Sequence, residues 1–370
     1  MFDRRLVKNF DWSILIVTIL ILIIGGLSLY SALDVTGQHM SSARYFFRQL
    51  CWIGIGFVAM FAVLMIDYQA FQSVAYPLYW GGIAALVFVH LLGKTSLGAQ
   101  RWITIMGINI QPSEFMKVIV IIALARYFSV ISSSKPPSLK DLVPGVALVL
   151  LPVLLIAKQP DLGTALSILI ICGSMILFVG VRKRYLLTAL VLGLVTIYPA
   201  WHYYLKPYQK HRILVYLGII KDFRGIGYHI KQSQIAVGSG TLFGKGFLCG
   251  TQHLLQFLPE HHTDFIFSVW AEEWGFVGCV VLIGLYVILT LLGLNVARKA
   301  KNKFGTLLAF GITAMIFWQA TINIGMVLGL LPVVGITLPL ISYGGSSMLT
   351  TLISVGILLN ISMRKYMFQS

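Results

Sequence analysis

Apolar residues fall along this chain in continuous blocks rather than in alternation. Runs near 13–33, 49–66, 74–93, 113–131, 143–158, 163–181, 186–204, 265–296, 306–330 and 346–363 make about ten in all. Several of them approach or exceed the roughly 20 residues that a helix needs to cross a bilayer. The continuity favours helices over a membrane barrel, whose strands alternate lipid-facing and lumen-facing residues. The pattern predicts an all-α polytopic membrane protein, one integral domain over 1–370. A long segment of little continuous hydrophobicity, 205–264, separates the seventh and eighth spans. The first run is too long and too late for a cleaved signal peptide and reads as a permanent span. Around Gln159-Pro160-Asp161-Leu162-Gly163, one kinked helix is an alternative to two short ones.

Composition agrees. Hydrophobic residues make up 58% of the chain and charged residues 11%, where a soluble globule carries about 25% charged residues. Mean hydropathy is +0.87. The net charge of +16 raises nucleic acid as a partner. However, the basic residues sit between spans rather than on one soluble module, which argues against it. Cys51, Cys172, Cys249 and Cys279 lack metal-site or disulfide spacing and read as small packed hydrophobes.

Lys and Arg in the short connections orient the chain. An inside N-terminus groups Arg4, Arg5 and Lys8 with Lys135, Lys140, Arg182–Arg184, Arg298–Lys303 and Arg364–Lys365. The opposing short connections hold fewer: Arg44, Arg48, Lys94 and Arg101. Both termini are therefore expected in the cytoplasm and 205–264 outside. That outer segment is basic (Lys206, Lys210, Arg212, Lys221, Arg224, Lys231, Lys245), which suits a phosphate-bearing partner or anionic headgroups.

Acids number only 12, so a carboxylate at the start of an apolar helix stands out. Asp264 holds that place. Glu272 and Glu273 follow within the same run; on a continuous helix Glu272 lies roughly 80° round from Asp264 and Glu273 roughly opposite it. These two need a cavity or a protein contact. Glu114 and Lys117, at i and i+3 after Gln111-Pro112-Ser113, can pair on one face. They read either as a helix clamp or as the lining of a polar cavity. Asp161 follows a helix-breaking proline and is placed to cap the next helix or to join a site. Glu260, His261, His262 and Asp264 match no standard zinc spacing. Magnesium or manganese bridging Asp264 to a diphosphate is the better metal reading, since those ions favour oxygen. Gly238-Ser239-Gly240 through Gly244-Lys245-Gly246 looks like a phosphate loop, yet no strand precedes it and no Ser or Thr follows Lys245. The expectation left for it is a backbone-exposing loop that donates N–H groups to a lipid phosphate.

Six ordered motifs give the chain a family likeness over nearly its whole length: Gly98-Ala99-Gln100-Arg101-Trp102; Gln111-Pro112-Ser113-Glu114 with Lys117; Gln159 to Thr164; Gly238 to Gly246; Phe257 to Phe267; and Leu338 to Ser346. The chain resembles the SEDS family (shape, elongation, division, sporulation). Asn323-Ile324-Gly325-Met326-Val327 and Leu331-Pro332-Val333-Val334-Gly335 favour its elongation branch. The resemblance implies a peptidoglycan glycosyltransferase of the bacterial cytoplasmic membrane that joins lipid II units on the outer face and releases undecaprenyl diphosphate. It implies Asp264 as the essential aspartate, to which the general-base role falls. Arg48, Arg101, Lys117 and Lys245 are implied diphosphate contacts, with Glu114, Asp161 and His262 completing the substrate-binding set. The implied partners are a class B penicillin-binding transpeptidase and the elongation machinery, because no penicillin-binding serine motif is present. A lipid II flippase is the rival reading; it needs polar residues on both sides, while the strongest acid motif lies on the outer side.

Overall fold

The computed structural model describes all residues except 1–9, 35–38, 97–98, 106–107, 132–136, 221, 223–224, 251–262 and 365–370. Three helices come first: α1 (Trp12–Asp34), α2 (His39–Met65) and α3 (Tyr68–Leu92). A short ribbon follows, β1 (Lys94–Ser96), β2 (Ala99–Ile105) and β3 (Ile108–Ile110). Next stand α4 (Pro112–Ile131), α5 (Leu139–Lys158), α6 (Leu162–Val179) and α7 (Lys183–Pro199), the last running into a π-turn at Ala200–Tyr204. Two shorter helices, α8 (Pro207–Tyr216) and α9 (Ile226–Ser239), occupy the long connection before α10 (Ile266–Lys299), α11 (Lys303–Val327) and α12 (Gly345–Met363).

Every predicted apolar run is helical. Among the described residues, eight helices are long and apolar enough to cross a membrane. The other two predicted runs form α4, which carries Glu114, Lys117 and Arg126, and α7. Gln159 and Pro160 form a turn, so α5 and α6 are two helices. The ribbon departs from the all-α pattern. Its strands pair antiparallel in the order β1-β2-β3, with Ile103 opposite Ile110 and Thr104 opposite Asn109. β-branched residues dominate it, and three-residue strands are too short for hydropathy to reveal.

Caps set the helix starts. Asp67 accepts from the Gln69 N–H at 2.9 Å and opens α3 earlier than hydropathy alone suggests. Asn302 does the same for α11, accepting from Gly305 N–H at 2.8 Å. At the centre, α4, α11 and α12 are buried on most faces. Helix α12 tolerates buried hydroxyls because they bond back to its own carbonyls: Thr350 to Ser346 O at 2.7 Å, Thr351 to Ser347 O at 2.8 Å, Ser354 to Thr350 O at 2.7 Å.

Helix α10 is broken at Gly275, whose φ of 63° and ψ of −160° suit a residue without a side chain. In an apolar environment the freed backbone groups must find partners. The glycine-rich segment 240–246 supplies them. Lys245 and Gly246 N–H donate to Glu272 O and Glu273 O at 3.0 and 3.1 Å. Phe276 and Val277 N–H donate to Thr241 O and Leu242 O at 2.9 and 3.1 Å. This corrects the lipid-phosphate reading of that loop, because the two N–H groups beside its lysine already serve the helix break. The angular reading of Glu272 against Asp264 fails as well, since α10 begins at Ile266 and Asp264 lies in the preceding turn.

Among the described residues, ten long helices bring the start of α1 and the end of α12 to one side of the bundle. There Ser362 Oγ lies 3.5 Å from Asp11, and Arg364 faces Asp67 at 3.8 Å. The ribbon, α8, α9 and Asp264 gather at the opposite end.

Candidate functional site

Asp264 sits half-buried in the turn Thr263–Phe265. Its backbone is held from two sides. Ser342 Oγ donates to Thr263 O at 2.6 Å, and Asn323 Nδ2 donates to Asp264 O at 2.9 Å. The same Asn323 amide donates to Ile336 O at 2.7 Å. Segment 332–338, neither helix nor strand, therefore lies against the turn. Gly335 adopts a φ of +74°, and a methyl group added there would stand 3.3 Å from Asp264 Oδ2. The backbone at this glycine forms a floor beside the carboxylate that a side chain would disturb.

The far side of that floor belongs to a second acid. A β-carbon on Gly163 would meet Val334 O at 2.4 Å and Gly335 O at 3.1 Å, so the first turn of α6 touches the same segment. Asp161, two residues earlier, is buried and caps α6 through Thr164 N–H at 3.4 Å. Its Oδ2 also accepts from Gln111 Nε2 at 2.9 Å, Thr164 Oγ1 at 3.0 Å and Ser113 Oγ at 3.3 Å. Arg101, carried on β2, approaches Asp161 at 3.9 Å and donates to the carbonyls of Gln159 and Pro160 beyond the end of α5. A cation suits the carbonyl end of a helix. Its side chain is 33% exposed. Gln111 N–H donates to Ser346 Oγ at 3.0 Å, which joins the first turn of α12 to the cluster.

Four of the sequence motifs thus meet at one place: those of Arg101, Gln111–Glu114, Asp161 and the Leu338–Ser346 run, with Asp264 across the Val334–Ile336 floor. Glu114 and Lys117 lie in the same helix start as a buried pair, Lys117 Nζ reaching both carboxylate oxygens at 2.9 Å. Arg48 is exposed on α2 and hydrogen-bonds Tyr343. Burial raises the Tyr343 hydroxyl pKa, and Arg48 opposes that shift. Beside Arg48, Gln49 donates to Ser342 O and accepts from Gly344 N–H, both at 3.3 Å.

Other expected site residues go elsewhere. Lys245 pairs with Glu272 at 2.6 Å, and Glu273 accepts from Ser31 of α1. The two adjacent glutamates therefore satisfy the need for protein contacts, one holding the 240–246 segment and the other α1. His262, with Glu260 and His261, lies outside the described residues. Among the described residues no three His, Cys, Asp or Glu side chains cluster as a metal site.

Sequence reasoning missed Asn323, Ser342 and Gly335 as parts of the Asp264 setting. A signal existed for Asn323: a lone amide inside an apolar run needs a reason to be there. Ser342 and Gly335 act through the path of a non-helical segment, and local pattern does not give that path.

Comparison with known proteins now fits onto this geometry. The chain matches the FtsW/RodA/SpoVE model, described as a cell cycle protein, over residues 11–367. It is 40% identical over 349 residues to the peptidoglycan glycosyltransferase MrdB of Escherichia coli K12, covering 94% of each chain. It is 33% identical to the peptidoglycan glycosyltransferase RodA of Treponema pallidum, covering 98% of this chain and 99% of that one. A solved chain from a peptidoglycan synthase complex that coordinates polymerization and crosslinking has a TM-score of 0.82 at 31% identity, over 97% of this chain and 99% of that one. The crystal structure of the rod shape-determining protein RodA of Thermus thermophilus has a TM-score of 0.71 at 28% identity, over 97% and 98%. A match from end to end of the bundle, with a shared fold and close relatives, means that this chain belongs to the FtsW/RodA/SpoVE family.

Proposed function

We propose that Asp264 is the general base of a peptidoglycan glycosyltransferase that joins lipid II into glycan strands during cell elongation and rod-shape maintenance. The acceptor sugar hydroxyl attacks the anomeric carbon of the donor. Its proton passes to the Asp264 carboxylate as the new β-1,4 bond forms and the bond to undecaprenyl diphosphate breaks. One displacement inverts the configuration. The leaving group is already an anion, so it needs cations rather than a proton donor. Arg101, Arg48, Lys117 and Lys245 are the candidates. Arg101 stands beside Asp161 with its side chain partly exposed, while Lys117 has to exchange Glu114 for phosphate.

The observation that carries the reading is that Asp264 and the first turn of α6, capped by the Asp161 that Arg101 approaches, both meet the Val334–Ile336 segment. A base and an anion-binding cation thereby share one end of the bundle. The flippase reading needs a polar path to the other end. There the described polar side chains Asn360, Arg364 and Asn302 bind helix ends. Were magnesium or manganese to accompany the lipid diphosphate, Asp264 would be the residue to hold it, as those ions favour oxygen. Such an ion would neutralise charge on the leaving diphosphate.

The same reading puts both termini in the cytoplasm of a multi-pass inner-membrane protein, with the site on the outer face. The partner is a class B penicillin-binding transpeptidase of the elongation machinery, in keeping with the synthase complex whose chain shares this fold. Polymerisation of lipid II by the purified protein with that transpeptidase, wild type against Asp264→Asn, tests the chemistry. Impermeant thiol labelling of intact cells tests the orientation. Exposed Cys249 should react and a cysteine placed at Lys301 should not; the reverse result puts Asp264 on the wrong side for this reaction.

A further inference from the structure

Asn323 lies in the last two turns of α11 with no solvent exposure. Both carbonyls it contacts, those of Asp264 and Ile336, demand donors, so the amide nitrogen must face them and Oδ1 must face away. Oδ1 is buried and has no hydrogen-bond partner among the described residues. A buried acceptor left unpaired is a cost, which the two bonds to the Asp264 and Ile336 carbonyls have to offset, since an apolar residue there would strand both carbonyls. What sets this side chain apart is where its bonds lead. Its two donors tie together the backbone of the base residue and the residue after Gly335, which floors the carboxylate.

We infer that Asn323 is a positioning residue for the glycosyl transfer, setting where the Asp264 carboxylate stands relative to the acceptor hydroxyl. The inference rests on the base reading above. Asn323 touches backbone only, so it neither accepts the proton nor meets the sugar. Without it, the turn at 263–265 and the 332–338 segment keep only the tie through Ser342 and can shift relative to each other, while the apolar contacts around α11 persist. A shift of about 1 Å at a reacting group can cost on the order of a hundredfold in rate.

The test is Asn323→Leu, which keeps the volume, and Asn323→Asp, which keeps the shape but replaces the amide donors. Both are assayed for lipid II polymerisation by the full chain with its transpeptidase partner, beside thermal unfolding. Both variants should lose about a hundredfold in kcat, change KM far less, and move the acid limb of the pH–rate profile. Asn360→Leu, at the far end of the bundle, is the control: it should lower stability and leave the profile in place. Wild-type kcat in Asn323→Leu overturns the inference. So does a loss that follows the folded fraction with the profile unmoved, because that is purely structural behaviour. An Asp264→Asn variant that still polymerises sinks the base reading and this inference together. An inactive Asp264→Asn beside a normal Asn323→Leu sinks this one alone.

Discussion

Two asparagines, each fully buried in a spanning helix, show how differently the two ends of the bundle use the same side chain. At the end that holds the termini, Asn360 donates to Val63 O and Ile66 O at 2.6 and 2.5 Å. Its Oδ1 accepts from Tyr68 N–H at 3.2 Å and from Arg364. Every polar atom is used, and all partners belong to the α2–α3 turn or to the next residues of its own chain. At the other end Asn323 also donates twice, yet its acceptor is left over and the segments it binds carry Asp264 and Gly335. A fully satisfied polar group in a low-dielectric interior rigidifies, whereas a partly satisfied one is a cost that needs another reason. The first end is architecture, and the second holds the candidate site.

The largest effect should come from Asp264→Asn. General-base catalysis contributes roughly 10²- to 10⁴-fold, so polymerisation should fall to background while thermal stability stays close to wild type. Substantial residual polymerisation would strip the site end of its base. Failure to reach the membrane would make Asp264 architectural, like Asn360.

Next comes the exchange of Glu114→Lys with Lys117→Glu. Removing one buried partner alone costs about 3–5 kcal/mol and confounds folding with function. The double exchange keeps the attraction but places a carboxylate where, on the proposed reading, the diphosphate binds. A folded protein with little activity is expected, from unfolding and polymerisation measured together. Near-normal activity would move this pair to the architectural side of the comparison.

Asn360→Leu should cut the other way. It strands two carbonyls and one N–H at the α2–α3 turn, and buried unsatisfied groups cost about 1–3 kcal/mol each. Thermal stability should drop clearly, with turnover per folded molecule unchanged. A fall in turnover at preserved stability would erase the distinction between the two ends.

The smallest effect is expected from Gly335→Ala. The left-handed backbone costs a side chain about 1–2 kcal/mol, and the new methyl would press at 3.3 Å on Asp264 Oδ2. A loss in kcat of about tenfold, with little change in KM, is consistent with a carboxylate nudged rather than removed. An unaffected rate would show that the floor has room to give.

Much of this was open to reading from residues alone. The apolar runs settled the helices, because a chain in hydrocarbon must satisfy its backbone locally and the length needed to cross is set by the bilayer. Asp264 was conspicuous for the same reason: a charge at an apolar helix start is expensive. Glu114 and Lys117 were legible as a pair because helical spacing places i and i+3 together. Asp161 was legible as a cap because a proline precedes it.

The tertiary structure decided the rest. Nothing local says that Lys245 answers Glu272, or that the glycines of 240–246 repair a break at Gly275; both depend on two segments about thirty residues apart meeting edge to edge. Nor does local pattern place Gly163 against Gly335, or Asn323 against Asp264, 59 residues apart. Sequence by itself determined which residues are costly to bury and hence which ones matter. Which of them share a site was left to packing, since hydrophobic burial is non-directional and helix contacts are chosen by shape across the whole bundle.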